Sequence, residues 1–343
     1  MSDENKKTDE IIINNQIPHS VYKIGKIDII SSLNDILSML RRSSHAAAFD
    51  LKYIKEHDIN DLDKLIYSIL YLHSPIIYKP GIPKNSIGTS IYVSYKKQKY
   101  IISAGHVFIE PSSRKHLPTK IDLSQIRVGN DIPLYEFKKV IIYPPQSDSS
   151  YFDMDYTVIF IDEEKARKLE EIYVPYTIKP LLDPFKIFYP ENGFFFGYPS
   201  AKNKSNKFAK NQEVKPIVLH LFLDKIFTLY DKEKNHGRNI GFYYEPQVST
   251  TQEIKEELTH TMCKLNGMSG CGIWSFPDYP INAPQNADSY ALCGLFTSYH
   301  PEENRLIGFH LNDIISTIEY AEEYSSSIEK GIHVKFASGD LSV

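Results

Sequence analysis

The chain has 343 residues, of which 42% are hydrophobic and 24% are charged, with a formal net charge of −4. This composition is typical of a folded globular protein, and the aromatic content of 13% argues against overall disorder. The net charge argues against a general nucleic-acid partner, because proteins that bind the phosphate backbone are normally basic. The apolar runs, such as Val158–Ile161, are far shorter than the roughly 20 residues of a membrane-spanning helix, so we expect no membrane partner.

The N-terminus and the cysteines both predict a cytoplasmic protein. Residues 1–15 carry mixed charge and only three consecutive isoleucines, too few for the apolar stretch of a secretory signal. No two of the cysteines Cys263, Cys271 and Cys293 have the spacing of metal ligands. We therefore expect free, mostly buried thiols in a reducing compartment, and no zinc site.

The first 80 residues predict a flexible tail at 1–18 and a helical N-terminal extension at 19–80. Apolar residues recur at helical spacing after Ser32 and again from about Asp61; they are Leu33, Ile36, Leu37 and Leu40, then Leu62, Leu65, Ile66, Ile69, Leu70 and Leu72. The residues Pro75, Pro80, Gly81 and Pro83 interrupt any helix and predict a linker. These helices could bind a regulatory protein partner.

Residues 81–343 predict a single mainly β domain. Short runs of β-branched and aromatic residues recur between turn residues: Thr89–Tyr95, Tyr100–Ser103, Lys139–Tyr143, Thr157–Ile161, Gly193–Gly197, Ile217–Leu223, Cys271–Phe276 and Tyr290–Ser298. This pattern favours an all-β sandwich or barrel. Apolar residues at helical spacing predict a final helix from Asn312.

Two segments place a polar side chain with catalytic potential at the end of a predicted strand. His106 follows the small residues Ser103-Ala104-Gly105, which allow a tight turn, although a structural histidine is the simpler interpretation of this segment alone. Asp155 directly precedes an apolar strand. Such a carboxylate can accept the Nδ1 proton of a histidine and fix its tautomer, or it can simply cap the strand. Asp153 is a rival for the same role.

The third segment, residues 266–272, places Ser269 among glycines. The N–H groups of Gly267 and Ser269 could form an oxyanion hole, and the glycines after the serine allow a substrate to approach closely. A glycine-rich hairpin is the alternative. A nucleophile elbow of the α/β-hydrolase type requires a helix after the serine, whereas Cys271–Phe276 predicts a strand.

Taken in chain order, His106, Asp155 and Ser269 resemble the catalytic triad of the chymotrypsin-like serine proteases. The motifs Ser103-Ala104-Gly105-His106, Asp155-Tyr156-Thr157-Val158-Ile159 and Gly267-Met268-Ser269-Gly270-Cys271-Gly272 are each similar to a motif of that family, and the likeness extends over about residues 82–325. The resemblance implies two six-stranded antiparallel β-barrels of chymotrypsin type with a C-terminal helix. It also implies that Gly267 and Ser269 form the oxyanion hole.

The resemblance implies a serine endopeptidase that cleaves a protein or peptide substrate through an acyl-enzyme. The mechanism it implies requires neither a metal nor an organic cofactor. Intracellular bacterial members of this kind occur in defence and signalling modules, which favours a regulated protease with a specific protein substrate. The alternative is a catalytically inactive module of the same fold that binds peptides or acts as a scaffold.

The sequence also departs from the family. Met268 stands where secreted members have the aspartate that pairs with a newly cut N-terminus, so the resemblance implies no such zymogen switch. By the same resemblance the substrate pocket is formed by Cys263, Thr297 and Tyr299. Cys263 lies six residues before Ser269 and offers no charge to a buried cation. We therefore expect cleavage after small or medium apolar residues rather than after Arg or Lys.

Overall fold

The computed structural model describes residues 48–50, 61–80, 85–108, 123–143, 155–178, 190, 192–199, 216–225, 227, 239–244, 265, 267–276, 290–326, 331–336 and 339–342. Within these residues the fold is mainly β. The strands are β1 (Ala48–Asp50), β2 (Ile76–Lys79), β3 (Asn85–Thr89), β4 (Ile91–Tyr95), β5 (Gln98–Ser103), β6 (Arg127–Val128), β7 (Ile132–Pro133), β8 (Lys139–Tyr143), β9 (Tyr156–Ile161), β10 (Tyr176–Thr177), β11 (Asn192–Gly197), β12 (Ile217–Phe222), β13 (Asn239–Tyr243), β14 (Gly272–Ser275), β15 (Ala291–His300), β16 (Arg305–His310), β17 (Gly331–Phe336) and β18 (Gly339–Ser342). The helices are α1 (Asp61–His73), α2 (Glu163–Glu170) and α3 (Leu311–Ser325).

The C-terminal sheet, which contains β1 and β11–β16, is antiparallel throughout. Its strand order is β1-β12-β11-β14-β15-β16-β13. A single bridge between Leu223 and Phe242 connects the end of β12 to β13 at the far side of the sheet. The six strands β11–β16 therefore form a curled antiparallel sheet.

The N-terminal sheet has the strand order β10-β4-β5-β9-β8-β17-β18. Only Ser90 separates β4 from β3, so this sheet continues into a four-stranded sheet of order β3-β2-β6-β7. Two of its pairings, β10 with β4 and β17 with β8, are parallel. The C-terminal hairpin β17–β18 thus adds to the edge of β8 that faces away from β9.

One hydrophobic core includes residues from both sheets and from the helices α1 and α3. Its members include Ile66, Leu70, Ile91, Val158, Phe194, Trp274, Ile314 and Ile318. A second core lies within the N-terminal region and a third within the C-terminal sheet. Burial of these side chains is the main favourable term in the folding of such a domain.

The helix α1 joins this shared core rather than standing apart from the β-strands. It ends at His73, two residues before Pro75, since the residue that precedes a proline avoids helical backbone angles. The His73 ring stacks on Trp274, and its two nitrogens contact the Val174 carbonyl and the Tyr290 hydroxyl, each at 2.7 Å. Burial lowers the pKa of His73, which favours the neutral ring.

The mainly β architecture is confirmed, and each predicted strand corresponds to one observed strand or, for Thr89–Tyr95, to the junction of two. The helices predicted from about Asp61 and from Asn312 are observed as α1 and α3. The predicted linker is wrong in part, because Ile76–Lys79 between the prolines pairs with β3 and β6 as a strand. The predicted helix after Ser32 lies outside the described residues.

The packing of α1 gives a direct prediction about stability. Leu70 is 0% exposed in the shared core, whereas Leu72 on the same helix is 38% exposed. We expect Leu70→Ala to lower the free energy of unfolding by about 2–5 kcal/mol, because it removes buried methyl groups and leaves a cavity. The matched control Leu72→Ala should cost about 1 kcal/mol or less. Urea denaturation measures both, and equal losses would contradict the placement of α1.

Candidate active site

His106 lies in a short 3-10 turn, Gly105–Val107, that begins two residues after the end of β5. A side chain at Gly105 would collide with the backbone carbonyl of Tyr143 and would come within 3.1 Å of Asp155 Oδ1. The turn can therefore pass this close to β8 and Asp155 only with glycine at position 105. The imidazole of His106 remains 26% exposed.

Asp155 directs both oxygens of its carboxylate to His106. Oδ1 accepts the backbone N–H of His106 at 2.8 Å, and Oδ2 contacts Nδ1 of the ring at 2.7 Å. The Asp155 residue is only 7% exposed. This bidentate contact favours the ring tautomer with the proton on Nδ1 and leaves the lone pair on Nε2. Within the described part of the chain, Nε2 has no hydrogen-bond partner.

The loop that carries Ser269 turns through two glycines with positive φ angles, Gly267 at 92° and Gly270 at 86°. L-residues with side chains rarely adopt such angles. A side chain at Gly270 would also collide with the Ser103 hydroxyl and the Thr89 carbonyl. Met268, between the two, is buried in the core of the C-terminal sheet. The loop is therefore anchored by an apolar side chain and closes tightly against the strands that precede His106.

The backbone N–H groups of this loop divide into two sets. Those of Met268, Gly270 and Cys271 donate to the carbonyls of Leu265, Phe296 and Met268, at 2.8, 2.8 and 3.0 Å. Those of Gly267 and Ser269 have no acceptor among the residues that the structure describes. Two donors without a partner in one loop are what an oxyanion hole requires.

The structure brings the Ser269 loop and the His106 turn together. The N–H of Thr89, at the end of β3, donates to the Ser269 carbonyl at 3.0 Å. A Cβ atom at Gly270 would lie 2.9 Å from the backbone nitrogen of Ala104, two residues before His106. Across the described residues, however, no hydrogen bond joins Ser269 Oγ to His106 Nε2. Catalytic hydrogen bonds are often long in unliganded sites and shorten when substrate binds.

Cys271, two residues after Ser269, is not suited to act as the nucleophile. It is 0% exposed, and burial raises the pKa of its thiol well above the ordinary value. Burial likewise raises the pKa of Cys293 to about 12. A cysteine nucleophile acts as an exposed thiolate, which these positions disfavour. Both thiols are free, as expected from the sequence.

The predicted pocket residues are only partly described. Thr297 is buried, and its hydroxyl donates to the Ile307 carbonyl at 3.3 Å. Tyr299 is partly exposed and meets the ring of Tyr244 edge to face at 5.4 Å. Both follow Phe296, whose backbone bonds to the Ser269 loop at Gly270 and Cys271. Cys263 and Asp153 lie outside the described residues.

Thr89 was not predicted as a site residue, although it contacts the Ser269 loop and Ser103 at the end of the strand that leads to His106. The sequence feature that points to Thr89 is a pair of hydroxyl residues, Thr89 and Ser90, between apolar strand residues. A buried polar group in such a strand must find a hydrogen-bond partner, which is a reason to look for one.

Among the described residues, no cluster of His, Cys, Asp and Glu has the three or more members that a metal site needs. No helix there combines the length and the hydrophobicity needed to span a bilayer.

No model of a known protein family matches the chain, and no curated protein matches its sequence.

Proposed function

We propose that the chain is a serine endopeptidase with the triad His106, Asp155 and Ser269. The observation that carries the proposal is the bidentate contact of the Asp155 carboxylate with the backbone and ring of His106, at 2.8 and 2.7 Å. A carboxylate that only capped the β9 strand would not need to orient an exposed imidazole. The proposal includes a cytoplasmic location and a specific protein substrate.

The proposed reaction is acyl transfer to Ser269. His106 Nε2 accepts the hydroxyl proton of Ser269 as Oγ forms a bond to the carbonyl carbon of the substrate. The N–H groups of Gly267 and Ser269 stabilise the oxyanion, and the imidazolium then gives its proton to the leaving amine as the C–N bond breaks. Water attacks the acyl-enzyme by the same route in reverse. Asp155 stabilises the imidazolium throughout.

Two features of the fold support a two-barrel arrangement of chymotrypsin type as part of this proposal. The strands β11–β16 curl until β12 meets β13 at Leu223 and Phe242. The strands β2–β9 form a second system of paired strands, since β3 continues into β4. The candidate triad draws His106 and Asp155 from this second system and Ser269 from the first. The hairpin β17–β18 is an addition to that arrangement.

One observation favours the alternative of an inactive module that binds peptides or acts as a scaffold. Nowhere in the described residues is Ser269 Oγ hydrogen-bonded to the histidine that should activate it. Such a module would keep the fold and the His106–Asp155 pair without reacting at Ser269.

A fluorophosphonate probe distinguishes the two functions, because it reacts with a serine only when the hydroxyl is activated. We expect the wild-type protein to be labelled and Ser269→Ala to lose all labelling. The variant Ser275→Ala, which removes a buried hydroxyl from the following strand β14, should still be labelled. A folded wild type that the probe does not label would favour the inactive module, and labelling of Ser269→Ala would exclude Ser269 as the nucleophile.

A further inference from the structure

Thr89 makes an unusual number of contacts with the Ser269 loop for a residue outside the predicted triad. It is 0% exposed at the end of β3. Its hydroxyl donates to the Gly267 carbonyl at 2.9 Å and accepts the Tyr198 N–H at 3.1 Å. Its backbone N–H donates to the Ser269 carbonyl at 3.0 Å, and its carbonyl accepts the Ser103 hydroxyl at 2.7 Å.

These contacts fix two peptide planes of the loop, 267–268 and 269–270, which flank the plane that carries the Ser269 N–H. The Gly267 carbonyl is held by the Thr89 hydroxyl, and the Ser269 carbonyl by the Thr89 N–H. The plane between them is held by the Met268 carbonyl, which accepts the N–H of Cys271 at 3.0 Å. Because Gly267 lacks a side chain and has a φ of 92°, its own torsional preferences restrain it little. The hydroxyl of Thr89 supplies the restraint that glycine does not.

The Thr89 contact also connects the loop to the strand that leads to His106. Ser103, whose hydroxyl donates to Thr89, is the last residue of β5. A movement of the Ser269 loop would therefore break its hydrogen bonds to Thr89, the same residue that accepts the hydroxyl at the end of β5. Buried hydrogen bonds of this kind are costly to leave unmade.

We propose that Thr89 is a positioning residue that holds the Ser269 loop so that the N–H groups of Gly267 and Ser269 face the oxyanion. The inference rests on the proposed function, and it deepens that function by assigning a role to a side chain outside the triad. Thr89 touches neither the substrate nor the reacting atoms. It acts through the Gly267 and Ser269 carbonyls, and its effect is on the rate of reaction rather than on the binding of a ligand.

The test compares three variants by the kinetics of fluorophosphonate labelling. Thr89→Val removes the hydroxyl and keeps the shape of the side chain, while Thr89→Ser keeps the hydroxyl. Ser90→Ala is the matched control, because Ser90 is also 0% exposed and its hydroxyl donates to the Pro75 carbonyl, away from the loop. Maximal labelling rate and half-saturating probe concentration are measured separately, together with the melting temperature.

We expect Thr89→Val to lower the maximal labelling rate about tenfold to a hundredfold, since a small misplacement of catalytic groups has effects of this size. Its half-saturating probe concentration should stay within about twofold of wild type, because uniform binding is unchanged. Thr89→Ser should restore most of the rate. Ser90→Ala should lower the melting temperature without changing the rate. A folded Thr89→Val that reacts at the wild-type rate would overturn the inference.

The remaining outcomes also decide the question. If Thr89→Val does not fold, Thr89→Ala takes its place, and a rate equal to that of Thr89→Ser would overturn the inference. If the probe does not label the wild type, the proposed function fails. The role of Thr89 is then tested by measuring hydrogen exchange at the backbone amides of residues 267–270. Faster exchange in Thr89→Val than in Ser90→Ala would support the loop-holding role, and equal exchange would refute it.

Discussion

Replacing Asp155 with asparagine is expected to lower the labelling rate and any peptidase turnover about 10⁴-fold while the fold is retained. The amide oxygen can still accept the backbone N–H of His106, so the 3-10 turn keeps its position. The amide NH₂ group then faces Nδ1, which must become an acceptor, and the ring proton moves to Nε2. In that tautomer Nε2 cannot take the proton of Ser269.

The control for this prediction is Asp153→Asn, which changes the neighbouring acid by the same chemistry. We expect that variant to stay within about threefold of wild type, since tautomer control rests on Asp155 alone. Labelling kinetics and the melting temperature are measured for both. A larger loss in Asp153→Asn than in Asp155→Asn would mean that the wrong acid has been assigned.

Replacing Met268 with aspartate is expected to unfold the C-terminal sheet or to lower the free energy of unfolding by several kcal/mol. Met268 is 1% exposed, and its side chain packs against Gly197 beneath the Ser269 loop. A carboxylate at that position would be buried without a partner cation, and an isolated buried charge is strongly destabilising. Secreted members of the family that the sequence resembles have an aspartate at this position, paired with a newly cut N-terminus. The prediction therefore distinguishes an apolar anchor of the loop from an ionic one.

The control Met268→Leu keeps an apolar side chain of similar volume. It should cost less than about 1.5 kcal/mol and leave labelling within a few-fold of wild type. Chemical denaturation measures the free energies of unfolding. A stable, fully reactive Met268→Asp would show that a cation or water reaches this position in the variant, and it would contradict the apolar anchoring of the loop.

Much of the fold and the candidate site could be predicted because the signals are local. Runs of β-branched and aromatic residues mark β8 and β9, and helical spacing marks α1 and α3. The small residues before His106 and the glycines around Ser269 predict tight turns, which the structure contains. The contact between His106 and Asp155 was predicted from their motifs, and it is observed at 2.7 Å.

The features that the sequence did not predict depend on partners far away in the chain. The prolines on either side of β2 predict a linker, whereas in the structure this segment pairs with β3 and β6. β17 follows the last predicted helix, and it forms a strand by pairing in parallel with the edge of β8. The sequence around Thr89 predicts only a strand, because the acceptor of its hydroxyl, the Gly267 carbonyl, lies 178 positions later in the chain. Local propensity has no information about such long-range pairings.

The most direct test of the proposed triad is a crystal structure of the wild-type protein after reaction with diisopropyl fluorophosphate. We expect a covalent bond between phosphorus and Ser269 Oγ, with the phosphoryl oxygen about 2.7–3.1 Å from the N–H groups of Gly267 and Ser269. We also expect His106 Nε2 to lie within hydrogen-bond distance of the adduct and Nδ1 to keep its contact with Asp155. Phosphorus on another residue, or a phosphoryl oxygen directed away from these two N–H groups, would contradict the proposed triad.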